Sequence, residues 1–157
     1  MPYAVTTDNV RLYFEEAGQG TPIIFLHEFA ADYTNWEPQM RYFSRGHRCI
    51  AYSARGYTPS DVPPAADAYT YKQFYTDALA VLDHLKIPKA HFVGLSMGAY
   101  SSLQIGLNAP ERALSFTLAG VGSRFTAALR PSLFDHGRCS SCYRLYHNLA
   151  SPSQAQN

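Results

Sequence analysis

Two spacings of apolar residues alternate along the chain as far as Gly122, and each predicts its own kind of element. Continuous short runs predict buried strands. Ile23-Ile24-Phe25-Leu26, Arg48-Cys49-Ile50-Ala51-Tyr52 and Ala113-Leu114-Ser115-Phe116-Thr117-Leu118-Ala119 are of this kind, and Phe92-Val93 forms the heart of another. Before them, Met1 to Glu16 reads as two short strands around a turn at Thr7-Asp8-Asn9, an opening hairpin closed by the turn cluster Gly18 to Pro22.

The second spacing is helical. Phe74, Ala78, Val81, Leu82 and Leu85 lie at i, i+4, i+7, i+8 and i+11, one stripe of an amphipathic helix that Thr70-x-x-Gln73 caps and that stops before Pro88. Thr34-x-x-Glu37 has the same capping spacing and predicts a helix from Asn35 to about Phe43. Ala99, Leu103 and Leu107 mark a third helix, ending near Asn108-Ala109-Pro110. The loop from Thr58 to Ala68, with Pro59, Pro63 and Pro64, is expected to hold no regular structure. Strands alternating with helices predict an α/β fold, a doubly wound and mostly parallel sheet covered on both faces. In such sheets, sites form beyond the carboxyl ends of the strands, where His27, Arg55, Ser96 and Ala119 stand.

Composition narrows the partners. The chain has 157 residues, 46% of them hydrophobic, 14% aromatic and 16% charged, with a formal net charge of +1. That suits one globular domain with a sizeable core and gives no basic surplus for nucleic acid or an anionic membrane surface. No apolar stretch approaches the roughly 20 residues of a membrane span. Met1 to Asp8 has no signal-peptide character, so a cytoplasmic location is expected. The three cysteines, Cys49, Cys139 and Cys142, are an odd number and do not suggest a secreted disulfide framework.

The chemistry concentrates at Gly94-Leu95-Ser96-Met97-Gly98. The spacing G-x-S-x-G, between an apolar run and a helical pattern, is that of a strand-turn-helix nucleophile elbow. Glycines two residues either side of the serine let the crowded turn close, Ser96 is lifted above the strand, and the Met97 amide stands at a helix N-terminus where it can meet a developing oxyanion. The bland reading of the same residues is a serine that caps the next helix.

With these residues in hand, the chain resembles the N-terminal half of the α/β-hydrolase fold family. Phe25-Leu26-His27 before a loop with Trp36, Ala54-Arg55-Gly56-Tyr57 with Ser60-Asp61, the elbow, and Ala109-Pro110-Glu111-Arg112 occur in the family's order. The resemblance implies Ser96 as nucleophile and the backbone amides of Met97 and Phe29 as the oxyanion hole. It also implies His27 and Glu28 as residues lining the site, with His27 supporting the loop rather than acting as base. It implies no cofactor and no metal, and a small acyl or ester compound as substrate. Glu28 departs from the pattern, since glycine usually follows the histidine; a carboxylate near an oxyanion is unhelpful unless it points away. The family draws its acid and histidine from later strands, which this chain is too short to form.

Residues 1–122 are thus expected to form the hydrolase-like half, C-terminally incomplete. Residues 123–157 read as an irregular tail, a truncated or frame-shifted end. Within the tail, Asp135, His136 and His147 follow Ser96 in the family's order but lack a framework to aim them, and His136, Cys139, Cys142 and His147 match no standard zinc spacing. The expected function is a serine hydrolase of carboxylic esters or related acyl compounds. The alternatives are a non-catalytic domain of the same fold without acid and histidine, or a zinc-binding module in the tail. The uncovered edge of the last strand predicts self-association.

Overall fold

A computed structural model describes residues 2–121. The strands are β1 (Tyr3–Val5), β2 (Arg11–Ala17), β3 (Thr21–Leu26), β4 (His47–Tyr52), β5 (Ala90–Leu95) and β6 (Ala113–Ala119). The helices are α1 (Glu37–Phe43), α2 (Tyr71–His84) and α3 (Met97–Asn108). They form one sheet in the order β1-β2-β4-β3-β5-β6. The expected hairpin pairs antiparallel, Tyr3 opposite Tyr13, and β2 joins β4 antiparallel, while β4, β3, β5 and β6 are parallel. The architecture is therefore an α/β sheet, parallel apart from its opening hairpin.

The apolar run of β3 is buried on both faces, and its pleat divides the core. Ile24 and Leu26 pack with Ile50, Phe92, Val81 and Ile105, on the face that α2 and α3 cover. Ile23 and Phe25 face the other way, onto Trp36, Met40 and Cys49 under α1. Burying one such side chain is worth about 1.5–3 kcal/mol, so a strand with all four placed inside fixes its own register.

The stripe of α2 turns Ala78, Val81 and Leu82 inward, and Thr70 Oγ1 caps the helix by accepting from Gln73 N at 3.4 Å. At the other end, Lys86 takes the left-handed conformation (φ 55°). Its amide and that of Ile87 then reach back to the carbonyls of Asp83 (3.0 Å) and Leu82 (2.8 Å), which closes the last turn. The capping box expected at Thr34 does not form. Asp32 takes that role, its carboxylate accepting from Thr34 N at 2.8 Å and starting a 3₁₀ turn over Tyr33–Trp36 that leads into α1. The Thr34 hydroxyl itself donates to the Asp32 carboxylate, and the Glu37 amide donates to the Thr34 carbonyl, so the helical stretch begins earlier than the capping spacing predicts. The proline loop likewise contains a 3₁₀ turn, Ala66–Ala68, where none was expected.

β3 is the strand from which the chain winds both ways, with β4 on one side and β5 on the other. The crevice beyond the carboxyl ends of β3 and β5 is the switch point where open α/β sheets hold their ligands.

Candidate active site

Ser96 stands in that crevice, one residue past β5 and one before α3, with φ 50° and ψ −108°. A serine in this region is strained, and strain of this kind persists only where the surroundings hold it. Three contacts do so. A β-carbon on Gly98 would come within 2.1 Å of the Leu26 carbonyl oxygen, so the start of α3 lies directly on the end of β3. A β-carbon on Gly94 would meet Gly98 O at 2.4 Å, so strand and helix are equally close inside the turn. Ser96 N donates to Ala119 O at 2.8 Å, which ties the turn to the end of β6. The side chain is exposed and makes no capping hydrogen bond to α3, which fits the elbow and not a serine that caps the helix.

A cavity of about 1040 Å³ opens beside it, with Ser96, Met97 and Phe29 in its wall. Tyr57, Tyr71, Phe74 and Tyr100 also line it. These aromatics went unread in the sequence. Phe74 appeared only as part of a core stripe, although it serves both core and cavity, and the others lie in a loop and in first helical turns.

His27 lies behind this wall, 2% exposed. Its Nε2 accepts from Ala54 N at 3.0 Å, so Nδ1 carries the proton and donates to Glu28 O at 2.7 Å. Burial depresses its basicity below the ordinary value. It is a neutral clip between the loop after β3, which carries Phe29, and the loop after β4, which carries Tyr57. The ring also meets Tyr57 edge-on at 4.7 Å. Glu28 is half-buried and avoids the left-handed region, so the exchange of glycine for glutamate adds no strain of that kind here.

Arg55, at the carboxyl end of β4, is 1% exposed and bridges two carboxylates. Its Nε and Nη2 donate to Asp77 at 2.7 Å each, and Nη1 and Nη2 donate to Asp8 at 2.7 and 3.1 Å. Ser60 and Asp61 stitch the same loop to β2: Ser60 Oγ donates to Ser53 O and accepts from Tyr13 N, and Asp61 accepts from Arg11 N. The motif around Arg55 thus builds the site's floor.

The other described histidines stand elsewhere. His47 opens β4 and His91 lies second in β5, at the amino ends of the parallel strands, with His91 Nδ1 2.6 Å from Ser115 Oγ. Five residue steps along the strand separate His91 from Ser96, roughly 16 Å. His84 ends α2, with its ring 5.7 Å from that of Phe14. Asp135, His136, Cys139, Cys142 and His147 lie outside the described residues. Among the described residues no three His, Cys, Asp or Glu side chains gather as metal ligands would, and no helix is long and apolar enough to cross a membrane.

Comparison with known proteins agrees with this geometry. 3-Oxoadipate enol-lactonase 2 of Acinetobacter baylyi is 31% identical over 126 residues, 79% of this chain and 46% of that protein. An epoxide hydrolase of Caballeronia sordidicola is 35% identical over 111 residues, 70% of this chain and 34% of the relative. The crystal structure of the enol-lactonase from Burkholderia xenovorans LB400 superposes with a TM-score of 0.70 at 29% identity, over 74% of this chain and 45% of that one. The chain spans less than half the length of these relatives. A family profile described as alpha/beta hydrolase fold matches residues 21–138. With a profile match over most of its length, a sheet that switches direction at β3 and a strained serine turn at that switch, the chain belongs to the α/β-hydrolase family, whose relatives here are hydrolases.

Proposed function

We propose that the protein is a serine hydrolase acting on carboxylic esters or related small acyl compounds, with Ser96 as nucleophile. The observation that carries this is the Ser96 backbone at φ 50°, held by Gly94, Gly98 and Ala119 so that the residue faces the cavity. Attack by Oγ on the carbonyl carbon, with the hydroxyl proton passing to a base and from it to the leaving group, forms an acyl-oxygen bond and moves the π electrons onto oxygen. The amides of Met97, at the N-terminus of α3, and Phe29 are the donors for that charge. Collapse expels the leaving group, and water then cleaves the acyl-serine ester.

Serine also discriminates between the chemistries in the relatives' names. A lactone is a cyclic ester, and its opening by Ser96 leaves an ester that water cleaves. Opening an epoxide with a serine oxygen leaves an ether, which water does not readily cleave. The acyl reading therefore fits this residue better. His27 through its ring and Glu28 through its backbone carbonyl fix the loop that presents Phe29.

A second reading is a non-catalytic binding domain. It is favoured by the positions of His27, His47, His84 and His91, none of which is placed to take the proton of Ser96. The first reading requires a base from outside the described residues. A fluorophosphonate separates the two: rapid stoichiometric labelling, lost in Ser96→Ala, supports the hydrolase, and labelling no faster than that of an ordinary serine supports the binding domain.

A further inference from the structure

We propose that Tyr57 is a positioning residue that sets the spacing of the two oxyanion donors, the amides of Phe29 and Met97. This deepens the reading of Ser96 as nucleophile with those amides as its support, and rests on it. The two donors come from separate parts of the fold. Met97 opens α3, whose height above the sheet is fixed by the contact of Gly98 with Leu26. Phe29 stands on the loop after β3, and its side chain is 75% exposed, so the core does not anchor it. Donors of this kind act within about 2.7–3.1 Å of the developing charge, and a loop displaced by about 1 Å from α3 would forfeit one of them.

Tyr57 reaches both sides of that gap from a third element. Its ring meets the Phe29 ring edge-on, centroids 6.4 Å apart, and its hydroxyl donates to Met97 Sδ at 3.9 Å. The same ring packs on His27 at 4.7 Å, and His27 Nδ1 holds the carbonyl of Glu28, the residue before Phe29. The tyrosine is itself firmly mounted. Its amide donates to Ala54 O at 3.1 Å, its carbonyl accepts from Ser60 N at 2.9 Å, and Ala54 N donates to His27 Nε2 at 3.0 Å. His27, Ala54 and Tyr57 thus form a closed circuit of contacts, from which one side chain extends to Phe29 by its ring edge and to Met97 by its hydroxyl. A thioether is a weak acceptor, so the ring contacts carry most of the seating and the hydroxyl adds to it.

The test is fluorophosphonate labelling of the full-length chain over a range of probe concentrations, which separates reversible binding of the probe (KI) from its reaction at the serine (kinact). The phosphoryl oxygen gains charge on attack, so misplaced donors lower kinact and spare KI. Tyr57→Leu should lower kinact about tenfold or more with KI within about twofold of the parent, and Tyr57→Phe, which keeps the ring, should recover most of that loss. An unchanged kinact in Tyr57→Leu, or a loss that appears in KI, overturns the proposal. So does labelling to a lower end point at the parental rate, which is what a loss of stability alone would give. If Tyr57→Leu does not fold, Tyr57→Phe decides: loss of the hydroxyl should shift the Met97 amide and methyl resonances and lower kinact about twofold, and unmoved resonances or an unchanged rate overturn the proposal. A parent chain that does not label rapidly removes the nucleophile reading and this proposal with it; a parent that labels, with a Tyr57→Leu variant that labels as fast, removes this proposal alone.

Discussion

Gly98 and Leu26 touch backbone to backbone: the missing β-carbon of one would sit 2.1 Å from the carbonyl oxygen of the other. The start of α3 can therefore be no further from β3 than glycine allows, and Ser96 takes its height above the sheet from that contact. Gly98→Ala should cost about 3 kcal/mol or more, because the obstacle is backbone and cannot rotate away. Gly46→Ala is the control. Nothing lies within 4 Å of its β-carbon, so a change within about 0.5 kcal/mol is expected. Urea midpoints of the two variants, read against the parent chain, make the comparison.

His27 should make stability depend on pH in one direction. Burial lowers its folded pKa from the ordinary 6.5, so as pH falls below 6.5 the unfolded chain takes up a proton that the folded chain refuses. The stability is complete above 6.5 and is lost on acidification, by at most about 1.4 kcal/mol per pH unit. His91 is also depressed by burial and adds a background of the same sign. Denaturation between pH 5 and 8 should therefore show a shallower slope in His27→Gln than in the parent; equal slopes would mean that His27 is not the source.

The Arg55 bridge should respond unequally to the loss of its members. Arg55→Met leaves Asp77, 1% exposed, without a counter-charge and should cost about 3–5 kcal/mol. Asp8 is 47% exposed, and Asp8→Asn should cost under about 1 kcal/mol. The hydrogen bonds from Arg55 and then Thr6 hold the Asp8 carboxyl down at about 2. Its contribution is thus present above the ordinary 3.8 and lost as pH falls through about 2, and Asp8→Asn should lack that portion of the acid loss. Chemical denaturation at neutral pH and acid titration by circular dichroism read both.

We expect the chain to self-associate through β6. Among the described residues this strand pairs only with β5, and Leu114 is 41% exposed on it. An unpaired strand edge offers a row of donors and acceptors to another chain. Sedimentation velocity across a hundredfold concentration range should show growth in mass that Leu114→Lys reduces. A monomer at every concentration would mean that the edge is covered.

The elements that local spacing determines were legible in the sequence. β3 declared itself by four consecutive apolar residues, α2 by its stripe and by Thr70, and the elbow by two glycines around Ser96. What escaped depends on partners far apart in the chain. Arg55 looked like one more residue at the rim of the site, because nothing local says that Asp8, 47 positions earlier, and Asp77, 22 later, close around it. Tyr57, Tyr71 and Tyr100 converge only when three separate segments meet. Thr34 misled for a different reason: its spacing to Glu37 was right, but Asp32 holds both the Thr34 amide and its hydroxyl, and the Glu37 amide donates to the Thr34 carbonyl instead.

The hydrogen bond from Ser96 N to Ala119 O also makes the turn a sensor of the sheet's rim. Edge strands fray more readily than central ones, and an amide hydrogen exchanges with solvent when its acceptor leaves. The exchange rate at Ser96 is therefore set by the breathing of β6 rather than by that of β5, from which the residue springs. A single amide signal at the reactive residue would report how firmly the last described strand is seated.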